Sequence, residues 1–173
     1  MFHLIKQAQN GSDQAFLSLF QMFEQDLYRI AFLYVKNQSD ALDVVQETAY
    51  RSFKSIKQLK EANFFKTWLI RIAIHCSLDL LRKQEKIALM KPNVEEVGFV
   101  TVNEDVELEW TIRDLIEQLN ENEKSVIILK FYEDLTINEV AQTLDMPIGT
   151  VKTVLYRALR KLRIKLKGVN IHE

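Results

Sequence analysis

The chain has one cysteine, Cys76, so no internal disulfide can form. It sits in an apolar helical pattern, where a thiol behaves as a small buried hydrophobe. Glycine and proline are scarce, four and two in 173 residues, which argues against a turn-rich all-β fold. No apolar run approaches the ~20 residues that a membrane-spanning helix needs. The opening Met1-Phe2-His3-Leu4-Ile5-Lys6 lacks the long apolar core of a secretion signal. No histidine or nucleophile is patterned beside a base or in metal-ligand spacing, so no catalytic residue, metal site or cofactor is expected. These absences place the chain in the cytoplasm and leave a helical protein, 47% apolar and with ten phenylalanines, able to bury a core.

The net charge of −1 conceals strong patterning. Residues 1–50 carry −3, 51–86 carry +6, 87–109 carry −5, 110–146 carry −5 and 147–173 carry +6. Two basic blocks held apart by acidic sequence suggest two anion-binding surfaces. The acids imply a basic partner or simple solubility.

Periodicity predicts helices throughout. A short helix covers 2–9 and ends near Asn10-Gly11. Ser12 or Asp13 caps a long helix to about Lys36, burying Phe16, Leu19, Phe20, Phe23, Leu27, Ile30, Ala31 and Tyr34. Ser39 caps a third helix to about Phe53, and residues 54–63 read as a polar loop. A fourth helix, about 64–86, offers Trp68, Leu69, Ile72, Ala73, Cys76, Leu80 and Leu81 to the core. Residues 87–107 lose periodicity and read as a flexible acidic linker. Helices near 108–119, 121–132, 136–144 and 147–167 follow. The expected fold is all-α: two small helical domains, 1–86 and 108–173, joined by that linker.

The last two helices have the form of a helix-turn-helix. Thr136-Ile137-Asn138-Glu139 is a capping box, as Asn120 to Glu123 is one helix earlier. Asp145-Met146 makes the turn, and Pro147 suits a first helical position. Ile148, Val151, Leu155, Leu159, Leu162 and Leu166 form the expected apolar stripe, and Gly168 a C-cap. Lys152, Tyr156, Arg160 and Arg163 lie on another face, flanked by Thr153 and Arg157. Basic residues on a surface helix are ordinarily solvated. Here the charge is one-sided, the preceding helices are correctly spaced, and Gly149-Thr150 leave the helix start open to a phosphate.

Upstream, Asp40, Asp43 and Glu47 share a helix face with Gln46 beside them, while Ala41, Val45 and Ala49 turn inward. That face is either an acidic surface helix or a dock for a basic protein. In the basic block Lys57, Lys60 and Lys66 cluster near Phe64, Phe65 and Trp68, and Arg71, His75, Asp79, Arg82 and Lys83 follow. Cations interleaved with aromatics suit single-stranded DNA. The aromatics also fit a core, Trp68 especially. Asn63 and Phe64, before a helix, could hold an extruded base.

Taken in order, these motifs resemble the extracytoplasmic-function (group 4) sigma factors of bacterial RNA polymerase, along nearly the whole chain. Asp40-Ala41-Leu42-Asp43-Val44-Val45-Gln46-Glu47-Thr48 is similar to the family's polymerase-docking helix. Phe65-Lys66-Thr67-Trp68-Leu69-Ile70-Arg71-Ile72-Ala73, with Asp79 and Arg82-Lys83, resembles its promoter-melting and minus-ten helix. Pro147-Ile148-Gly149-Thr150-Val151-Lys152-Thr153 resembles its minus-thirty-five recognition helix.

The resemblance implies a non-enzymatic subunit that brings core polymerase to specific promoters. Asp40, Asp43, Val44, Gln46 and Glu47 would dock on the clamp helices of the largest subunit, and the C-terminal domain would meet the flap. Lys60, Asn63, Phe64, Lys66, Arg71, His75 and Arg82 would bind minus-ten DNA, the loop at Lys60–Phe64 capturing a flipped base. The linker would thread the RNA exit path. Thr150, Lys152, Thr153, Tyr156, Arg157 and Arg160 would read the minus-thirty-five element. An anti-sigma factor, often membrane-anchored, would be a further partner. The chain departs from the family at His75, where Asn is frequent, and at Val154, where Arg is frequent, so one backbone contact is expected to be missing. A stand-alone helix-turn-helix regulator is the alternative, but it needs neither the acidic helix nor the Phe/Trp-rich block. An adaptor that only binds an anti-sigma factor would not need the basic blocks.

Overall fold

The computed structural model describes residues 1–90, 116 and 119–169, with side chains through Ile164, and every regular element among them is helical. The chain divides into two units, Met1–Gln84 and Glu85–Glu173.

In the first unit, α1 (Phe2–Gln9) buries Ile5 and Ala8 and ends at Asn10. Gly11 follows at φ 96°, a left-handed conformation that glycine adopts without strain. Ser12 Oγ accepts from Ala15 N at 3.3 Å and so caps α2 (Asp13–Gln21). The long helix expected from here to Lys36 is two helices, because Phe23 swings out to φ −118° and its N–H donates to Phe20 O in a tight turn before α3 (Glu24–Val35). The apolar stripe keeps its phase across the break, so periodicity could not reveal it. The local signs are Glu24 and Asp26 in the first turn of α3, where carboxylates favour a fresh N-terminus. Asn37, not Ser39, caps α4 (Gln38–Ser55), its Oδ1 accepting from Asp40 N at 2.8 Å. α3 and α4 pack together through Leu27, Ile30, Ala31 and Tyr34 on one side and Ala41, Val44 and Val45 on the other.

The segment read as a polar loop contains two 3-10 turns, Ile56–Gln58 and Ala62–Phe64, with Leu59 to Glu61 between them. Ile56 and Leu59 are buried, so the segment is pinned to the core. α5 (Phe65–Met90) then buries Phe65, Leu69, Ile70, Ala73, Ile74, Cys76 and Ser77. Trp68, Ile72, Leu80 and Leu81, expected in the core, are only half-buried. α5 continues through Met90, so the linker expected from Ile87 begins as helix. Its remainder, and most of the helix expected over 108–119, lie outside the described residues.

In the second unit Asn120 and Glu123 complete a reciprocal capping box at the start of α6 (Glu121–Ile127). The helix widens into a π turn at Ile128–Tyr132, and Asp134 reverses the chain at φ 52°. Thr136 and Glu139 cap α7 (Ile137–Leu144) in the same way. Asp145 at φ 54° makes the turn into α8 (Ile148–Val169). Pro147 precedes that helix instead of opening it, its carbonyl accepting from Val151 N, and Gly168 lies within the helix instead of capping it. The core joins Ile116, Leu119, Val126, Ile127, Ile128 and Leu129 to Val140, Ala141, Val151, Val154, Leu155 and Ala158.

The stripe expected on α8 is therefore rotated. Ile148 and Leu159 are exposed, while Val154 and Ala158 face the core. Helical spacing accommodates either set, and the packing of α6 and α7 selects 151, 154, 155 and 158.

Candidate nucleic-acid interface

The outer face of α4 is less open than its sequence implied. Asp40 accepts from Asn37 Nδ2 at 2.7 Å and from Gln84 Nε2 of α5 at 2.8 Å. Glu47 accepts from Arg51 Nε at 2.6 Å, and Arg51 Nη1 reaches Asp79 of α5 at 2.7 Å. The Asp79 and Glu47 hydrogen bonds raise the Arg51 pKa further, against some desolvation. All three side chains remain 41–50% exposed, so each pair is worth at most ~1 kcal/mol. Asp43 and Gln46 stand exposed on the same face. Val44 is only 2% exposed, so it presents little surface for a direct contact, although it belongs to the lining of the groove between α4 and α5.

A groove of about 370 Å³ runs between α4 and α5, lined by Asp43, Glu47, Arg51, Cys76, Asp79 and Lys83. At its floor, burial pushes the Cys76 thiol up, so it is protonated at neutral pH, as a structural cysteine should be.

The loop and α5 form a second surface. Lys60, Asn63 and Phe64 are exposed, whereas the next ring, Phe65, is fully buried. Phe65 lies 5.9 Å from both Phe23 and Trp68. Two adjacent phenylalanines thus split their tasks, one anchoring the helix start and the other standing in solvent. Lys66 pairs with Asp26 at 3.2 Å, which holds its ammonium toward α3. Arg71, His75 and Arg82 fall on one face of α5 over about 16 Å at 1.5 Å per residue. Partial desolvation, then the Arg71 charge, pushes the His75 pKa below its usual value; Asp79 opposes this, and Arg51 and Arg82 add to it. At neutral pH it offers a neutral imidazole between two guanidinium groups.

The third surface is on α8. Thr150, Lys152, Thr153, Tyr156, Arg157 and Arg160 are all exposed, Tyr156 at 72%. Thr153 donates its hydroxyl to Gly149 O at 2.9 Å, which leaves its oxygen lone pairs free to accept. A Cβ at Gly149 would meet nothing within 4 Å, so the helix start is open. Val154 is 7% exposed, which corrects its expected place on this face: it is a core residue, and no absent phosphate contact follows from it.

Periodicity did not reveal what fixes α8. Lys161 Nζ reaches Oε2 of the fully buried Glu123 on α6 at 2.7 Å. Burial opposes the Glu123 charge, but Lys161, the Asn120 backbone N–H and the nearby Arg157 outweigh it and hold the carboxyl below its usual range. The only sequence sign was the capping box, which explains Glu123 locally without naming Lys161.

Residues 19–87 match the family model "Sigma-70 region 2", and residues 115–163 match "Sigma-70, region 4". The chain is 40% identical to RNA polymerase sigma factor SigV of Bacillus subtilis, over 83% of this chain and 86% of that one. It belongs to the extracytoplasmic-function sigma factors of the sigma-70 family. ECF sigma factor SigW of Bacillus subtilis is 28% identical over 95% and 96% of the two chains.

The fold of this sigma factor is shared with CnrH, solved in complex with the cytosolic domain of CnrY (TM-score 0.70, 22% identity, 95% and 96% of the chains). It is also shared with the sigma factor RpoE of Bartonella quintana, solved with the anti-sigma factor NepR (TM-score 0.71, 19% identity, 91% and 98%). Family membership makes the chain a promoter-specificity subunit for transcription initiation, and the region 2 match sets aside the stand-alone regulator. The basic faces on α5 and α8 lie within regions 2 and 4 respectively. Among the described residues no helix is long and apolar enough to cross a membrane, and no cluster of three or more metal-ligating side chains occurs.

Proposed function

We propose that this sigma factor divides promoter recognition among three surfaces. The α4 face docks on core polymerase chiefly through Asp43 and Gln46, with Asp40 and Glu47 contributing the oxygen lone pairs that their internal partners leave free. The Lys60–Phe64 loop receives an unpaired minus-ten base, and Arg71, His75 and Arg82 follow the adjacent strand. Thr150, Lys152, Thr153, Tyr156, Arg157 and Arg160 of α8 read the minus-thirty-five element in the major groove. Two domains, 1–86 and 108–173, would carry these tasks, with 87–107 between them.

The observation that carries this reading is the pairing of exposed Asn63 and Phe64 with fully buried Phe65. A ring that displays apolar surface beside cations, on a loop pinned at both ends, supports stacking with an extruded base. The subunit is non-enzymatic and cytoplasmic. The family resemblance supports regulation by an anti-sigma factor, and the exposed acidic face of α4 suits such a partner.

The test is in vitro initiation. Bacterial core polymerase plus the purified chain should transcribe from promoters selected out of a random-sequence pool by that holoenzyme. Equal transcription with and without the chain would remove the reading.

A further inference from the structure

Gln9 closes α1 and lies ten residues before the region 2 match begins at residue 19. Its side chain reaches across the fold: Nε2 donates to Ile56 O at 3.2 Å and to Leu59 O at 2.8 Å. These carbonyls bracket the 3-10 turn that leads into the Lys60–Phe64 loop. Ile56 O also accepts from Leu59 N at 3.1 Å, so one amide group and one turn bond lock the same short stretch. Beyond it the chain runs extended at Leu59 and Glu61, and the second turn closes with Phe64 N donating to Glu61 O at 3.1 Å. Phe65 anchors the far end. α1 is fixed in turn by buried Ile5 and Ala8, so Gln9 is a rigid post and not a trailing side chain.

We infer that Gln9 is a positioning residue for minus-ten base capture: its amide presets the Leu59 end of the loop, so that Asn63 and Phe64 are held ready for the extruded base. This rests on the reading of the loop given above. A loop ordered beforehand loses little conformational freedom on binding, whereas a loosened one must be ordered by the DNA. Freeing about one residue of backbone corresponds to roughly a tenfold loss of affinity.

The test uses holoenzyme reconstituted from core polymerase and the full chain as wild type, Gln9→Leu, Gln9→Lys and Phe64→Ala. Leucine keeps helix propensity and size but cannot donate, whereas the lysine ammonium can donate to both carbonyls. The probes are a promoter duplex selected by wild-type holoenzyme and the single strand of its minus-ten segment. Gln9→Leu should lower single-strand affinity and open-complex yield roughly tenfold, with core association and upstream duplex binding within twofold of wild type. Gln9→Lys should restore both losses. Single-strand binding by Gln9→Leu within twofold of wild type overturns the inference, as does an equal loss in every readout or a failure of lysine to rescue. If Phe64→Ala weakens capture and Gln9→Leu does not, only the role of Gln9 falls. If Phe64→Ala has no effect, the loop reading falls and takes the inference with it.

Discussion

Lys161 Nζ lies 2.7 Å from Oε2 of Glu123, a carboxylate with no solvent exposure whose other oxygen, Oε1, has no hydrogen-bond partner. The pair joins α6 to α8, the basic helix that follows the turn. Glu123 also caps its own helix through the Asn120 N–H at 3.1 Å. One side chain therefore sets both where α6 starts and how α8 lies across it.

Removing that carboxylate should be costly. Glu123→Ala loses a charge-assisted hydrogen bond and a cap, and is expected to destabilise the C-terminal unit by about 1–3 kcal/mol in urea titrations. Because the folded carboxyl sits below its ordinary value of ~4.3, its contribution is complete above that value and is lost as pH falls through the folded pKa. Glu123→Gln should flatten the acid side of the stability curve. Parallel curves for wild type and Glu123→Gln would show that the charge is not what holds α8.

Asp43 is exposed, with Val44 buried beside it. Asp43→Lys should abolish co-purification with core polymerase, by tenfold or more in affinity, and leave the helical circular dichroism spectrum unchanged. Undiminished co-purification would move the dock off this face.

Arg157 and Val154 are three residues apart on neighbouring faces of α8, yet Arg157 is exposed and Val154 is buried. Arg157→Ala should weaken duplex binding and reduce the slope of log affinity against log salt by about one. Val154→Ala should leave that slope alone and cost about 2 kcal/mol of stability, since it removes buried methyls. Binding isotherms at several salt concentrations, with thermal melts, separate the two. A changed slope for Val154→Ala would return that position to the DNA face.

Asp134 holds φ 52° in the turn after the π segment. Asp134→Gly relieves the left-handed strain at some entropic cost in the unfolded chain, and should raise stability by about 0.5–1 kcal/mol. A lower denaturation midpoint would mean that the carboxylate itself supports the turn.

Much of this protein was legible in its residues because the signals are local. Capping boxes at Asn120 and Thr136 need only a side chain and a backbone N–H three residues on, and both formed. Charge blocks and apolar spacing likewise survive without knowledge of neighbours, so the helices, the turn at Asp145 and the exposed basic set on α8 followed directly. The break at Met22 and Phe23 was hidden because a stripe in constant phase looks the same whether one helix or two carry it.

Tertiary structure decided which residue of each near-equivalent pair points outward. Helical periodicity fixes a residue's angle relative to its neighbours on the same helix, but not which angle meets another helix. For that reason Val44 and Val154 left the binding faces for the core while Ile148 left the core for solvent, and Phe64 and Phe65 parted company. Longer reaches were beyond sequence altogether. Lys66 to Asp26, Lys161 to Glu123, and Gln9 to carbonyls 47 and 50 residues away exist only because the chain folds back on itself. Sequence alone determined that this is a helical chain with two basic surfaces. Packing determined which atoms of those surfaces are free to meet DNA, because burial is settled between elements and not within them.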